Sequence, residues 1–391
     1  MNRILISGAG MAGLCLARQL KKHDIAYTII DKKPASESSG TGIALPANAV
    51  RALRYMGLSD AADTMHQVRR IIYSHPNGRV ISEASLLNAP LNRDKFVALE
   101  RTALLATLQQ GIEKDIHFNV VITGIQQTDT GVNVTCSNPA LNGHYQAVIG
   151  ADGVFSTVRE LGFGQPGLID LGVTNWRWIC EFPTQNLQPT YMLGLNNIFM
   201  AYPIGPNRIY CYTHQTDIEN RYYNYYEAQQ NLRRLFASYQ GVARPILECL
   251  PDNEHIYTGR LRSVPFPIFN QGHMALIGDA GNACSPMLQQ GAALAFEDAI
   301  VLSELLAHFP IRKALEHYRS LRQQRVNWVV KTSDNSIKSF IKMNSRWSMI
   351  MRNMMIKRKG PLNVQGWKYL LSQCPLDQVT DFIQTSTEKN E

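Results

Sequence analysis

The order of apolar and polar positions changes character along this chain. It opens with a short apolar run, Arg3–Ser7, then Leu14, Leu16, Ala17 and Leu20 at roughly helical spacing, then a second apolar run, Ala26–Ile30. This predicts a strand, a helix and a strand. A further helix carries Leu53 and Met56 and ends at Gly57. Val68–Ser74 and Arg79–Ser82 read as two strands joined by the turn His75-Pro76-Asn77-Gly78. Phe96–Leu99 is a short strand, followed by the helical spacing of Leu104, Leu105 and Leu108. His117–Ile125 and Gly131–Cys136 alternate as antiparallel strands, and Val148–Gly150 is a buried strand ending in a turn. From about Gly172 to Arg262 short alternating strands dominate: Val173–Glu181, Ile198–Tyr202 and Arg208–His214, with one helix near Tyr226–Tyr239. Met274–Asp279 is another buried strand, a long helix covers about Gly291–Ala307, and from Ile311 the chain is mainly helical.

The first of these units carries chemistry. Between the first strand and the helix stands Gly8-Ala9-Gly10-Met11-Ala12-Gly13, which is G-x-G-x-x-G, and the second strand ends in Asp31, 18 residues beyond Gly13. Gly8 permits the tight turn, Gly10 lets a pyrophosphate approach the backbone, and Gly13 lets helix and strand pack closely. The helix N-terminus, at Met11 and Ala12, presents free N–H groups and a positive dipole end to phosphates. Asp31 sits where a carboxylate accepts the hydroxyls of an adenosine ribose, with Lys32 beside it. The whole arrangement points to a dinucleotide site.

Composition narrows the class. The chain has 391 residues, 45% apolar and 18% charged, which suits two or three packed units with a large core. Seven scattered cysteines without a C-x-x-C argue for a reducing, cytoplasmic location and against a zinc site or disulfide framework. No apolar run reaches the ~18 residues of a bilayer span, and no secretory signal is expected. The net charge of +8 is local: 335–376 holds eight Lys/Arg and no acid, leaving 31 basic against 31 acidic residues elsewhere. The body of the protein is therefore not expected to bind nucleic acid.

Two further motifs make a resemblance specific. Ile149–Arg159 is I-G-A-D-G-x-x-S-x-x-R, with Asp152, Gly153, Ser156 and Arg159, and 274–299 is a strand, G-D-A at Gly278-Asp279-Ala280, Pro286, Gly291 and E-D-A from Glu297. With the glycine motif, this order resembles the single-component FAD-dependent monooxygenases, the aromatic hydroxylases of the p-hydroxybenzoate hydroxylase type, over about residues 1–325. Gly40–Gly57 is similar to the branch holding salicylate hydroxylase, 3-hydroxybenzoate 6-hydroxylase and zeaxanthin epoxidase. The resemblance implies an α/β (α+β) fold: a Rossmann-like FAD-binding domain (1–72, 95–171 and 263–330), an inserted antiparallel-sheet substrate domain (73–94 and 172–262) and a C-terminal helical region (331–391). It places FAD on Gly8, Gly10, Met11, Ala12, Gly13, Asp31, Lys32, Arg101, Asp152, Asp279, Gly291 and Ala292. Asp279 would accept from a ribityl hydroxyl, and Arg101 would reach the ribityl chain and phosphates. Backbone N–H groups near Gly291 and Ala292 would favour negative charge on the flavin ring. Asn282, Leu288 and Ala293 depart from the family's histidine, glycine and asparagine, and Leu288 removes a residue free to take positive φ.

The family chemistry implies NADH or NADPH as transient electron donor. It also implies O2 as cosubstrate and an FAD C4a-hydroperoxide that hydroxylates or epoxidises an aromatic, phenol-like or polyketide-like molecule. Pro286, Trp176 and Trp178 are candidates for the substrate cavity. Tyr210, Tyr212 and His214 share one face of a strand, and a histidine near neutral pKa would serve as phenol base. Arg177 and Arg208 are candidates for holding a substrate carboxylate. Trp176-Arg177-Trp178-Ile179 is similar to the W-x-W-x-I-P of flavin-dependent halogenases. Cys180 stands where the proline belongs, however, and no lysine lies between Lys33 and Lys95, against that chemistry. The rival expectation is an FAD-dependent reductase of an unsaturated or quinone-like substrate, without oxygen insertion. A dehydrogenase using Gly8–Asp31 for a dissociable nicotinamide is a further rival.

The tail adds one surface. Ser339–Arg358 reads as an amphipathic helix, with Phe340, Met343, Trp347, Ile350, Met351 and Met354 in one stripe and Lys338, Lys342, Arg346 and Arg352 opposite. Such a stripe packs as core, against the FAD domain or within a homodimer, or meets a membrane surface peripherally. Either a monomer or a homodimer fits the sequence.

Overall fold

The computed structural model of the protein describes residues 3–34, 41–164 and 167–388. Gly40, the first residue of the 40–57 resemblance, lies outside them. The leading unit forms as expected: β1 (Ile4–Ser7), α1 (Met11–Lys22) and β2 (Tyr27–Ile30). They join β3 (Ala147–Gly150) and a late strand, Met274–Leu276, in a six-stranded sheet. Ile116–His117 closes one edge of that sheet and Asn270–Gln271 the other. Parallel pairing sets Ser7 opposite both Ile30 and Gly150, and Gly150 opposite Leu276. The turns at Gly8, Asp31, Ala151 and Gly278 therefore leave the sheet along one edge, where open α/β sheets bind ligands.

The middle of the chain builds a second, mostly antiparallel sheet of seven strands. Its order is Tyr257–Ser263, β4 (Ile169–Glu181), β7 (Arg208–Thr216), β6 (Asn197–Gly205), β5 (Thr190–Leu193), Arg70–Ser74 and Val80–Ser85. One face packs on helices Ala228–Leu235 and Ala243–Glu248. The other face looks toward the first sheet. The expected helix of 226–239 is thus shorter, Ala228–Leu235.

Two expected strands are each divided. Val68–Ser74 splits at Arg69: His66–Val68 pairs with Phe96–Glu100, while Arg70–Ser74 enters the seven-stranded sheet. His117–Ile125 splits between the parallel sheet and Ile122–Thr128, which pairs with Gly131–Cys136. In both cases a continuous apolar pattern spans a point where the chain changes sheet, and periodicity carries no mark of that.

The C-terminal third is helical: α2 (Gly291–His308), α3 (Ile311–Ile341), α4 (Arg346–Lys359), then Leu362–Ser372 and Pro375–Glu388. α3 runs unbroken across the expected boundary at 330/331. The continuous helix expected over 339–358 is corrected: α3 stops at Ile341, and Ser345 starts a new helix by accepting the Ser348 N–H at 3.2 Å. No helix of the described residues is long and apolar enough to cross a membrane.

Candidate functional site

A cavity of about 1510 Å3 lies between the two sheets and the C-terminal helices. Ligand pockets of ~300–1,000 Å3 commonly hold one drug-sized molecule, so this one has room for a dinucleotide and a second compound.

Its first half is the glycine turn. Gly8 takes φ +109°, and a Cβ there would stand 2.4 Å from the Ala151 carbonyl oxygen. A Cβ on Gly13 would lie 1.8 Å from the Gly8 carbonyl oxygen. These two glycines close the strand–helix junction. Gly10 differs: its missing Cβ would meet nothing within 4 Å, and it lines the cavity with Met11 and Ala12. A cradle that the protein itself leaves unfilled beside a helix N-terminus suits a pyrophosphate. The first turn of α1 carries no acidic residue.

Charged groups complete this half. Asp279 lies deep among protein atoms, yet its carboxylate is open to the cavity. Burial raises its pKa, while Arg101 and Arg177 oppose the rise. The Arg101 side chain has no ion-pair partner among the described residues, and burial lowers its pKa against the pull of Asp279. Gly291 and Ala292, at the N-terminus of α2, line the same space. Two long-helix N-termini, a cation without a partner and an open carboxylate fit the phosphates, ribityl chain and flavin ring of FAD.

Other expected cofactor residues sit behind this surface. Asp31 Oδ2 accepts the Ala9 N–H at 2.6 Å and Oδ1 accepts the Lys33 N–H at 2.8 Å, so its carboxylate clamps the glycine turn. Lys32 is exposed on the next turn. Asp152 does not line the cavity. Its Oδ1 accepts the Ser156 hydroxyl at 2.5 Å and its Oδ2 accepts the Thr157 and Val158 N–H groups at 2.8 and 3.2 Å, capping the helix Thr157–Phe163. Arg159 ties the two turns, donating to the Ala280 and Val154 carbonyls.

The departures at Asn282 and Leu288 have physical outcomes. Asn282 Nδ2 and the Gly278 N–H both donate to Asp298 Oδ2, at 2.9 and 3.0 Å. Arg322 Nε holds Asp298 Oδ1 at 2.7 Å, and Arg325 grips Glu297 at 2.7 and 2.8 Å. Burial would raise Glu297, but Arg325 and Arg322 carry it down to about 2. Asn48 Nδ2 reaches both Glu297 and Gln290, tying this buried ionic cluster to the start of α2. The positive φ of the following loop falls on Gln289, at +52°, and Leu288 is buried against the C-terminal helices. Sequence reasoning did not assign Asn48, Arg322 or Arg325. The signal was an acidic pair, Glu297-Asp298, matched by arginines spaced i, i+3.

The second half is the exposed-to-cavity face of the seven-stranded sheet. Strand register places Tyr257, Arg177, Tyr212 and Met200 side by side on four strands, and Asn175, His214 and Ile198 on three. Tyr210, Tyr212, His214 and Pro286 all line the cavity, as expected. The Arg177 guanidinium lies 5.5 Å over both the Tyr212 and Tyr257 rings, and its Nε donates to Asn175 Oδ1 at 3.1 Å. Burial works against its charge, but Tyr210, Tyr212, Tyr257 and Asp279 raise its pKa. Burial pushes up both Tyr210 and Tyr212, which stay neutral phenols. His214 meets the expectation in place but not in basicity: burial lowers it to about 3. Its Nδ1 lies 3.3 Å from the Tyr212 hydroxyl, and its Nε2 is buried without a hydrogen-bond partner among the described residues.

Trp176 and Trp178 are corrected. They alternate with Asn175 and Arg177 on β4, so they point to the opposite face. Both are fully buried with Phe199, Cys211 and Phe236, and Trp178 meets Phe199 edge-on at 5.9 Å. Arg208 is also outside the cavity, on an exposed ion pair with Glu100 at 2.6 Å. No cluster of His, Cys, Asp or Glu among the described residues is arranged to hold a metal ion.

Residues 1–333 match the family described as FAD binding domain. The chain is 28% identical over 367 residues to 2-heptyl-3-hydroxy-4(1H)-quinolone synthase of Pseudomonas aeruginosa, covering 90% of this chain and 93% of that protein. It is 27% identical over 333 residues to aurachin C monooxygenase/isomerase of Stigmatella aurantiaca, covering 83% and 86%. Among solved structures, Klebsiella pneumoniae HpxO complexed with FAD and uric acid superposes with a TM-score of 0.81 at 21% identity, covering 98% of this chain and 96% of that one.

Proposed function

This chain belongs to the FAD binding domain family, and from that premise we propose that it is an NAD(P)H- and O2-dependent flavin monooxygenase of an aromatic small molecule. The observation that carries the reading is continuity: one cavity joins the dinucleotide cradle at Gly10, Arg101 and Asp279 to an aromatic, mostly apolar half bearing Arg177, Tyr210, Tyr212 and His214. FAD supplies the activation of O2 when bound. In the overall reaction one oxygen atom enters a C–H bond of the substrate as hydroxyl and the other leaves as water. NAD(P)H supplies two electrons and one hydrogen, and solvent supplies a proton.

The protein's part is binding, orientation and exclusion of water. The α1 N-terminus and Arg101 neutralise the phosphates, and Asp279 accepts from the ribityl chain. Arg177 is the half-buried cation on the substrate side, so it favours the phenolate over the phenol and orients it. Tyr212 and the neutral His214 give or accept hydrogen bonds at the ring. Leu193, Ile198, Met200, Phe340 and Met343 line the far part of the cavity, where an apolar extension of the substrate fits. A relative named for a quinolone bearing a heptyl chain agrees with that shape.

Aerobic incubation with NAD(P)H and a panel of phenols, quinolones and quinones under isotopically labelled dioxygen tests the proposal. Substrate-stimulated NAD(P)H oxidation with one labelled oxygen in the product supports it. Stimulated oxidation giving a reduced, unlabelled product would assign a reductase instead.

A further inference from the structure

The helix α4 exposes a run of large apolar side chains and carries exposed cations at both its ends. Two of its polar residues, Arg352 and Asn353, face inward. Arg352 donates to the carbonyls of Gly194 at 2.7 Å and Leu193 at 3.1 Å, and Asn353 is buried near His75. Burial lowers Arg352 to about 10, against the pull of Tyr239. The outward face is apolar: Trp347 is 76% exposed, Met354 51% and Met355 58%, with Ile350 and Met351 between them. Arg352 lies opposite the apolar stripe, as expected, but it is bound to carbonyls of the protein rather than sharing an exposed basic side with Lys338, Lys342 and Arg346. Phe340, at the end of α3, is buried in the core, and Met343, within the break at 342–345, packs half-buried against it, so both leave the stripe.

The Arg352 hydrogen bonds fix the helix with this face outward. Cations frame it: Arg346 at its start, Lys357, Arg358 and Lys359 at its end, and Lys338 and Lys342 before it are all exposed. No acidic residue occurs in the sequence from 335 to 376. Met351 and Met355 belong to both surfaces, standing on the exposed face and lining the cavity. The mouth of the cavity thus opens on the apolar face.

We propose that α4 docks this protein on the surface of an anionic lipid bilayer, with Trp347, Ile350 and Met354 in the acyl–headgroup boundary and the flanking lysines and arginines on the headgroups. An exposed apolar stripe rimmed by one sign of charge fits an interfacial helix, with apolar burial and headgroup attraction acting together. Flexible methionines suit a surface that must conform to lipid. Docking would set the mouth at Met351 and Met355 against the membrane, where a poorly water-soluble aromatic compound partitions. That use rests on the proposed reaction, whereas the docking does not.

The test is co-sedimentation of the full-length protein with vesicles of phosphatidylcholine alone or mixed with phosphatidylglycerol. Binding to the mixed vesicles at low salt, about tenfold weaker in ~1 M salt where the Debye length is ~3 Å, is expected. Trp347→Glu/Met354→Glu, at positions outside the cavity lining, should weaken binding by about tenfold or more while keeping the wild-type unfolding midpoint. Failure to sediment at low salt overturns the proposal. So does undiminished binding by the double variant, or a vesicle-free homodimer that the double variant dissociates. Because sedimentation needs no turnover, loss of the activity reading leaves this result standing, and the reverse.

Discussion

His214 packs edge-on against Phe340, with ring centroids 5.0 Å apart and planes at 83°. The end of α3 thereby covers the imidazole, which is 1% exposed. That contact explains why the histidine is neutral, since burial disfavours its charged form and drops it from the ordinary 6.5 to about 3. The folded imidazole binds its proton more weakly than the unfolded one, so folding is disfavoured as pH falls below 6.5.

The first prediction follows for catalysis. Between about pH 5 and 8 no limb of the kcat/KM profile belongs to His214. His214→Asn, which keeps a hydrogen-bonding group, should lower kcat/KM while leaving the positions of the limbs unchanged. Loss of an acidic limb in that variant would restore the histidine as a base.

The second prediction separates the glycines. Gly10 has φ −83°, and among the described residues no atom lies within 4 Å of where a Cβ would be, so Gly10→Val is expected to fit the fold. It should fold with a near wild-type unfolding midpoint and purify without flavin. Gly13→Ala drives a methyl into the Gly8 carbonyl and should fail by unfolding instead. Asp279→Asn removes a carboxylate that makes no hydrogen bond among the described residues and should weaken FAD binding by about 10–100-fold, the cost of a hydrogen bond to a charged group. Flavin absorbance per protein, with thermal unfolding, reads all three. Full flavin occupancy in Gly10→Val would contradict the placement of the pyrophosphate.

The third concerns the ionic cluster behind the site. Glu297 sits between Arg322 and Arg325, at 3.0 and 2.7 Å. Glu297→Gln leaves two buried guanidinium groups short of a counter-charge and should cost ~3–5 kcal/mol in denaturant unfolding. The carboxyl's folded pKa, about 2, is below its ordinary 4.5. The stability it contributes is complete above about pH 4.5 and is lost as pH falls toward 2. Wild type and variant should therefore converge in stability across that window. A constant difference would place the effect in packing rather than in charge.

What the sequence made legible, and what it hid, divides along a physical line. The glycine turn and the strand ends at Gly150 and Gly278 were readable because backbone geometry there demands particular residues. The face of β4 was not. Tryptophans look like cavity lining as readily as core, and which parity faces the cavity depends on the packing of Ala228–Leu235 across the sheet. The same holds for α4. Periodicity located an apolar stripe, but only the carbonyls of Leu193 and Gly194 decide that Arg352 turns inward. Asp152 shows the remaining difficulty, since a motif aspartate that caps a helix and one that touches a ligand have the same local sequence.

The last prediction concerns Arg177. Stacked between Tyr212 and Tyr257, it meets no carboxylate in an ion pair among the described residues, and it lines the cavity. A half-buried cation held in place by aromatic faces, with donors left over, is arranged for an anionic group that the described residues do not supply. If that group is the substrate's phenolate, Arg177→Met should keep FAD, lose about 10–100-fold in kcat/KM, and divert reducing equivalents to peroxide because the ring is no longer oriented. The variant must also ionise the phenol without help, so its activity should recover in part as pH rises through the free phenol's pKa, whereas wild type should not gain. Arg177→Lys should rescue little, because an ammonium reproduces neither the planar stacking nor the fork of donors. Steady-state kinetics with paired NAD(P)H and product assays across pH check this. Wild-type kcat/KM and coupling in Arg177→Met would remove the arginine from substrate recognition and leave it a role only in balancing Asp279.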